Sequence, residues 1–256
     1  MSYNFQDFND AIAQRNEFVE RQLAGGSPVV GVACADGVVL LALRGAQRKC
    51  YDIYDRIAMG ALGKQADVEA LRLAAIDSAH REGFQRSEAD VSLQRLVGFG
   101  LSPAVKKVYN DQRTVPLVLR ALFAEVGDAP DTDRFFLLGY DGEFASREGA
   151  AAVAGSPAAE DAAVSVLRSA APANLASALA ACLEAWGVAR AHHTFAPGDS
   201  GAEPEIDSEA GRAAVRDALA QGLAVEAVLL ERDARREARW KVVAADAVAA
   251  AVAGLG

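Results

Sequence analysis

The chain has 256 residues, 52% of them hydrophobic, and a formal net charge of -9 at pH 7. That length and apolar fraction supply a sizeable core, and the acidic balance excludes a general affinity for nucleic-acid backbones, which requires clustered Lys and Arg. No run approaches the roughly 18 apolar residues of a membrane span, and the polar start MSYNFQDFNDAIAQRNEFVERQ lacks the basic and apolar regions of a secretory signal.

The opening segment predicts a helix. Phe5, Phe8, Ile12, Val19 and Leu23 recur at helical spacing, Arg15 interrupts the stripe, and Gly25-Gly26 ends it. A stripe this narrow suits packing on the same chain or on a neighbouring one. Strands at 29–34 and 38–43 come next, around Ala35-Asp36-Gly37, since Asp-Gly between apolar runs marks a tight reversal that needs positive φ. Both runs are almost continuously apolar, which implies a sheet covered on both faces. A strand at 56–62 leads into a helix at 66–82, closed by Gly83. A second helix, 88–108, is entered through Ser87 and Asp90 and carries Pro103 as a kink or an early stop.

Beyond it lie strands at 115–125, 134–140 and 150–154. Two helices succeed them, at 158–169, entered through Ser156 and Pro157, and at 173–189. Residues 194–211 hold acids, Gly, Pro and Ser but no Lys or Arg, and predict a mobile loop. A hairpin at 224–230 and 239–243 and an Ala/Val-rich helix complete the order. That alternation implies sheets covered by helices on both outer sides, with no linker or repeat dividing the chain.

Cys34, Cys50 and Cys182 are odd in number and widely spaced, which predicts reduced, buried thiols of a cytosolic protein. His192 and His193 are adjacent and cannot both aim at one ion, so no metal site is expected, and His80 reads as a surface residue. Gly60-Ala61-Leu62-Gly63-Lys64 lacks the frame of a phosphate-binding loop. Arg232, Arg235, Arg236 and Arg239 read as a solvated hairpin tip or an intersubunit ion pair, and Trp186 and Trp240 as core or edge aromatics.

The segment GSPVVGVACADGVVLLALRGAQRKCYDIYDRIAMGALG, residues 26–63, resembles the opening region of proteasome core-particle subunits. RFFLLGYDGEF and AVAGSPAAEDAAVSVL resemble later stretches of the same subunits, in the same order. The leading helix, the short connection before KCYDIYDR and the Arg-rich ERDARREAR make the likeness one to the bacterial α type. The resemblance implies an α+β fold, the four-layer αββα sandwich of the N-terminal-nucleophile (Ntn) hydrolases. It makes residues 1–25 a gate segment and ring-contact helix, and residues 26–256 a single domain. It also implies a homo-heptameric α ring, proteasome β subunits and a ring-shaped ATPase activator as partners. A cytoplasmic location is implied, with no cofactor, no nucleic acid and no membrane.

In active members of that superfamily a Thr, Ser or Cys freed after a glycine is the nucleophile, and its own amine serves as base. Ser27, after Gly26, stands at the matching place, and Lys49 matches the lysine that activates the nucleophile. Three features oppose chemistry. Leu43 stands where active β subunits carry an acid, GVARAHH lacks the Arg-Asp pair of catalytic subunits, and cleavage at Gly26 would discard a well-patterned helix. The resemblance therefore implies a non-catalytic subunit of a threonine-type endopeptidase complex, with a self-processing hydrolase built on Ser27 and Lys49 as the alternative. In the α-type reading Lys49 receives the C-terminal carboxylate of the activator's tail. Met1, Ser2, Tyr3, Asn4, Phe5, Gln6, Asp7 and Phe8 form the gate, and Phe8, Ile12 and Val19 carry the ring contacts.

Overall fold

The computed structural model describes residues 5–192, 206–234 and 238–255, with the backbone alone for 5–8. Helix α1 (Phe5–Leu23) precedes strands β1 (Val29–Cys34), β2 (Gly37–Arg44), β3 (Cys50–Tyr54) and β4 (Ile57–Gly63). Helix α2 (Gln65–Gln85), a π-helical segment (Gln94–Leu101) and α3 (Ser102–Asn110) lead to β5 (Leu119–Glu125), β6 (Arg134–Leu138), β7 (Phe144–Arg147) and β8 (Ala150–Val153). Helices α4 (Pro157–Ala170), α5 (Leu175–Ala191) and α6 (Ser208–Ala220), strands β9 (Ala224–Glu231) and β10 (Trp240–Val242), and helix α7 (Ala245–Ala253) complete the described chain.

The strands form two antiparallel five-stranded sheets, ordered β10-β9-β2-β1-β8 and β3-β4-β5-β6-β7. Three hydrophobic clusters show how they stack. Val29, Val38, Leu40, Leu62, Leu122 and Phe135 fill the space between the sheets. Val30, Val39 and Leu41 pack beneath Leu179, Cys182 and Trp186 of α5 on one outer face. Met59, Leu119 and Phe123 pack beneath Val68, Leu71 and Ala75 of α2 on the other. Helix, sheet, sheet, helix is the four-layer sandwich. The continuous apolar character of β1 and β2 is its direct consequence, because both faces of the central strands are covered.

The β1–β2 hairpin turns at Ala35-Asp36, and the positive φ, 141°, falls on Gly37. A side chain there would meet the Leu230 carbonyl oxygen at 1.9 Å, so the glycine also admits β9 alongside. Ser156 caps α4 by accepting the Ala159 N–H at 3.3 Å.

Several expected boundaries are corrected. Gly83 lies inside α2 rather than closing it, because its bare Cα makes room for the Tyr54 hydroxyl; an added Cβ would lie 2.3 Å from that oxygen. The expected helix 88–108 is a short 3-10 turn (Glu88–Asp90), the π-helical segment, and α3, with Pro103 in the first turn of α3 where its missing N–H is tolerated. Strands β3 and β7 were not expected; β7 is a short, largely exposed edge strand. Of the acidic stretch 194–211, residues 194–205 lie outside the described residues, while 208–211 already form the first turn of α6, capped by Asp207 accepting from the Ala210 N–H at 2.9 Å. The three cysteines are free and buried. Among the described residues no helix is long and apolar enough to cross a membrane.

Candidate functional site

Ser27 sits where α1 ends and β1 begins. Its amine is spent in the peptide bond to Gly26. Its hydroxyl donates to the Leu43 carbonyl at 2.5 Å and lies 3.3 Å from the Trp186 indole N–H, which also donates to the Pro28 carbonyl. Trp186 is fully buried in α5, so the sequence-predicted core aromatic also pins this junction. Lys49 donates to the Ala61 carbonyl at 3.4 Å instead of to Ser27. The two candidates for nucleophile and helper are thus not joined by a hydrogen bond.

Helix α1 is built into the molecule above this junction. Val19 and Leu23 are 0% exposed and belong to the cluster between the sheets. Burying two such side chains contributes about 3–6 kcal/mol. Glu20 takes both oxygens to Arg120 at 2.8 Å and accepts from the Tyr140 hydroxyl at 2.9 Å. Arg120 reaches on to Glu160 at 3.1 Å, so one guanidinium on β5 clasps both α1 and α4. Burial pushes the Glu160 carboxyl up to about 7, against the pull of Arg120. Arg15, the residue that interrupts the apolar stripe, donates to the Thr114 carbonyl at 3.1 Å and lies over the Tyr109 ring. Arg190 of α5 donates to the Gly25 carbonyl at 3.0 Å.

Lys49 lines a cleft of about 360 Å³ with Gly45, Arg48, Ala61, Gln65 and Val68. The strand β2 and the turn after it place Arg44 and Arg48 beside the buried Glu226 of β9, at 3.7 and 3.5 Å. Glu226 also accepts the Lys49 backbone N–H at 2.7 Å. No carboxylate of the described residues comes within the 4.0 Å of an ion pair with the Lys49 ammonium. Desolvation lowers its pKa to about 8, opposed by the Glu226 carboxylate. A desolvated ammonium with no ion-paired carboxylate among the described residues, lining an open cleft, is suited to capture an anion.

The other expected residues have varied placements. Met1, Ser2, Tyr3 and Asn4 lie outside the described residues, whereas Phe5, Gln6, Asp7 and Phe8 form the first turns of α1 rather than a segment ahead of it. Ile12 is half-buried. Val19 is a correction: it faces the core of its own chain and offers nothing to a neighbour. Arg232 is a second correction. Instead of lying at a solvated tip it is buried against Asp133, with paired bonds of 2.8 Å, and donates to the carbonyls of Cys34, Ala35 and Gly127. Arg235 and Arg236 fall outside the described residues. His80 is exposed, its ring edge-on to Tyr54 at 5.2 Å. No group of three metal-ligating side chains occurs among the described residues.

Sequence reasoning missed Glu226, Arg120 and Glu20. Their partners lie far away along the chain, and no local spacing marks them.

The sequence is similar to those of known proteins. The chain is 30% identical over 148 residues to the proteasome subunit alpha of Streptomyces coelicolor, covering 57% of this chain and 58% of that one. It is 34% identical over 144 residues to the proteasome subunit alpha of Xylanimonas cellulosilytica, 55% of this chain and 58% of that one. For the proteasome subunit alpha of Acidothermus cellulolyticus the identity is 32% over 143 residues, 55% and 61%. The match thus spans less than two thirds of these relatives' length. The proteasome subunit family model matches residues 23–185, from the end of α1 through strands β1 to β8 and into α5. With two five-stranded sheets between helical layers and a match over more than half its length, the chain belongs to the proteasome subunit family.

Proposed function

We propose that the chain is a non-catalytic, α-type subunit of a bacterial proteasome. The observation that carries this reading is the fastening of α1 across the Ser27 junction. Val19 and Leu23 are part of the core between the sheets, and Glu20 shares Arg120 with Glu160. Cleavage at Gly26 would tear out core residues and leave Arg120 with half its counter-charge, so this helix is a poor propeptide and a good permanent element. The hydroxyl of Ser27 is engaged by a carbonyl rather than held by a lysine, which favours the scaffold over a self-processing hydrolase.

In this reading the chain forms a homo-heptameric ring, stacks on a ring of β subunits that carry the proteolysis, and works in the cytoplasm. The residues Met1–Phe8 narrow the entrance. Ile12, half-buried on α1, and Phe8 contribute to the contact between neighbours. Lys49 takes the terminal carboxylate of a tail from a ring-shaped ATPase, because a terminal carboxylate supplies the counter-ion that its ammonium lacks.

Electron microscopy of the chain with its β partner tests the assembly. Stacked seven-membered rings are expected, and a monomer with no affinity for a β subunit contradicts the reading. Removal of residues 1–8 should then raise the rate of peptide hydrolysis by the assembled particle, and an unchanged rate contradicts a gating role.

A further inference from the structure

The cleft that contains Lys49 is organised by a residue from the other end of the chain. Glu226 enters from β9, across the ladder in which Ala42 faces Glu226, and is 8% exposed. Its carboxylate meets three groups of one short segment: the Arg44 and Arg48 guanidinium groups at 3.7 and 3.5 Å, and the Lys49 N–H at 2.7 Å. A buried carboxylate without such partners would be strongly penalised, so this cluster fixes the course of residues 44–49. Arg48 and Lys49 both line the cleft, yet only Arg48 has a carboxylate within ion-pair distance.

We propose that Glu226 is the positioning residue of this cleft: by holding Arg44, Arg48 and the Lys49 backbone, it makes Lys49 the cation that an incoming terminal carboxylate must pair with. The inference rests on the docking role proposed above for Lys49. It adds which residue sets the selectivity. With Glu226 charged, the arginines are engaged and recognition runs through one compact ammonium at the cleft floor. Without that charge, the exposed Arg48 guanidinium is released beside the cleft it lines, Arg44 loses the same ion pair, and anions are recognised without Lys49.

The groups facing the ammonium come from every wall. Arg48 approaches from the turn after β2, Cys50 from β3, Ala61 from β4, Gln65 and Val68 from α2, and Glu226 from β9. Cys50 is held as the neutral thiol by its burial, so Glu226 is the negative charge that supports the protonated lysine.

The test uses the full chain labelled with ¹³C at the lysine ε-carbons, where Lys64, Lys106, Lys107 and Lys241 are the other signals and Lys49→Arg gives the assignment. Glu226→Gln keeps the shape and leaves an amide oxygen for the Lys49 N–H. Its Lys49 titration should move to lower pH by about half a unit or more, a change that a merely structural role does not produce. Binding of a short apolar peptide with a free C-terminal carboxylate is then compared with that of its C-terminal amide. In the wild type, Lys49→Gln should remove a preference of about tenfold, equivalent to one charge-assisted pair. In the Glu226→Gln background the same change should remove about threefold or less, because the released arginines substitute. Equal losses in the two backgrounds, or an unmoved Lys49 titration, overturn the role of Glu226 while leaving the docking of Lys49 standing. Absence of any carboxylate preference in the wild type overturns the docking role itself.

Discussion

Lys49 sets stability against the docking role proposed for it. Its pKa near 8 lies below the ordinary lysine value because the ammonium is desolvated. Below pH 8 the native protein holds this charge against its burial, and the unfavourable contribution is present in full. Between about 8 and 10.5 the unfolded chain binds a proton that the native state has released, so stability rises with pH across that window. Lys49→Met should therefore stabilise the chain by about 1–2 kcal/mol at pH 7, and the gain should shrink towards pH 10. Denaturant titrations at the two pH values check it, with loss of carboxylate-peptide binding as the accompanying cost. A second residue-level case is Asp133. Its pair with Arg232 is buried and joins the β1–β2 turn to the opposite sheet. Asp133→Ala should cost about 3–5 kcal/mol, because it leaves the guanidinium buried and uncompensated, and should appear as a lower denaturation midpoint with an unchanged slope. Neither Glu226 nor Asp133 was legible in the sequence. They meet partners 177 and 99 residues away, and a charge becomes a site residue only when strands bring it to its counterpart.

At the scale of elements, what could be read from the sequence was whatever depends on local pattern. The hairpin of β1 and β2 announced itself through Asp36-Gly37 and two apolar runs, and α1 through its stripe. The stretch after Ser87 read as one helix, and local pattern did not show its division into a 3-10 turn, a π-helical segment and α3; packing is close at its glycines, where side chains would press on Gln94 and Phe144 at Gly98 and on Ser78 at Gly100. Helix α6 was hidden for a similar reason. Gly211 reads as a breaker in isolation, yet it lets α6 cross α5 at Gly187, where an added Cβ would lie 2.3 Å from the Gly211 carbonyl oxygen. The decisive element is α1. Arg120→Ala would strand Glu20 and Glu160 in a partly buried site, and should destabilise the fold by about 3–5 kcal/mol. Glu20→Gln, which retains a hydrogen-bond acceptor, should cost about 1–2 kcal/mol. A hydrogen-exchange experiment should show α1 amides of Val19–Leu23 losing protection in the first variant. Full protection there would mean that the helix is held by its apolar contacts alone.

For the molecule as a whole, the proposed scaffold role follows from the way the sandwich fills its own junction with Val19 and Leu23 of α1. The resemblance of residues 26–63 to proteasome subunits led to the right family and layers, but it assigned Val19 outward when the fold uses it inward. Ile12 is thus the described member of the expected contact stripe that can still reach a neighbour. Ile12→Lys should give folded chains with native circular dichroism that sediment as monomers, while intact rings would place the interface elsewhere. The central claim is that α1 stays attached above Ser27, and intact-mass measurement of the chain recovered from assembled particles tests it most directly. A continuous chain through Gly26-Ser27 is predicted; a mature amino terminus at Ser27 would contradict it.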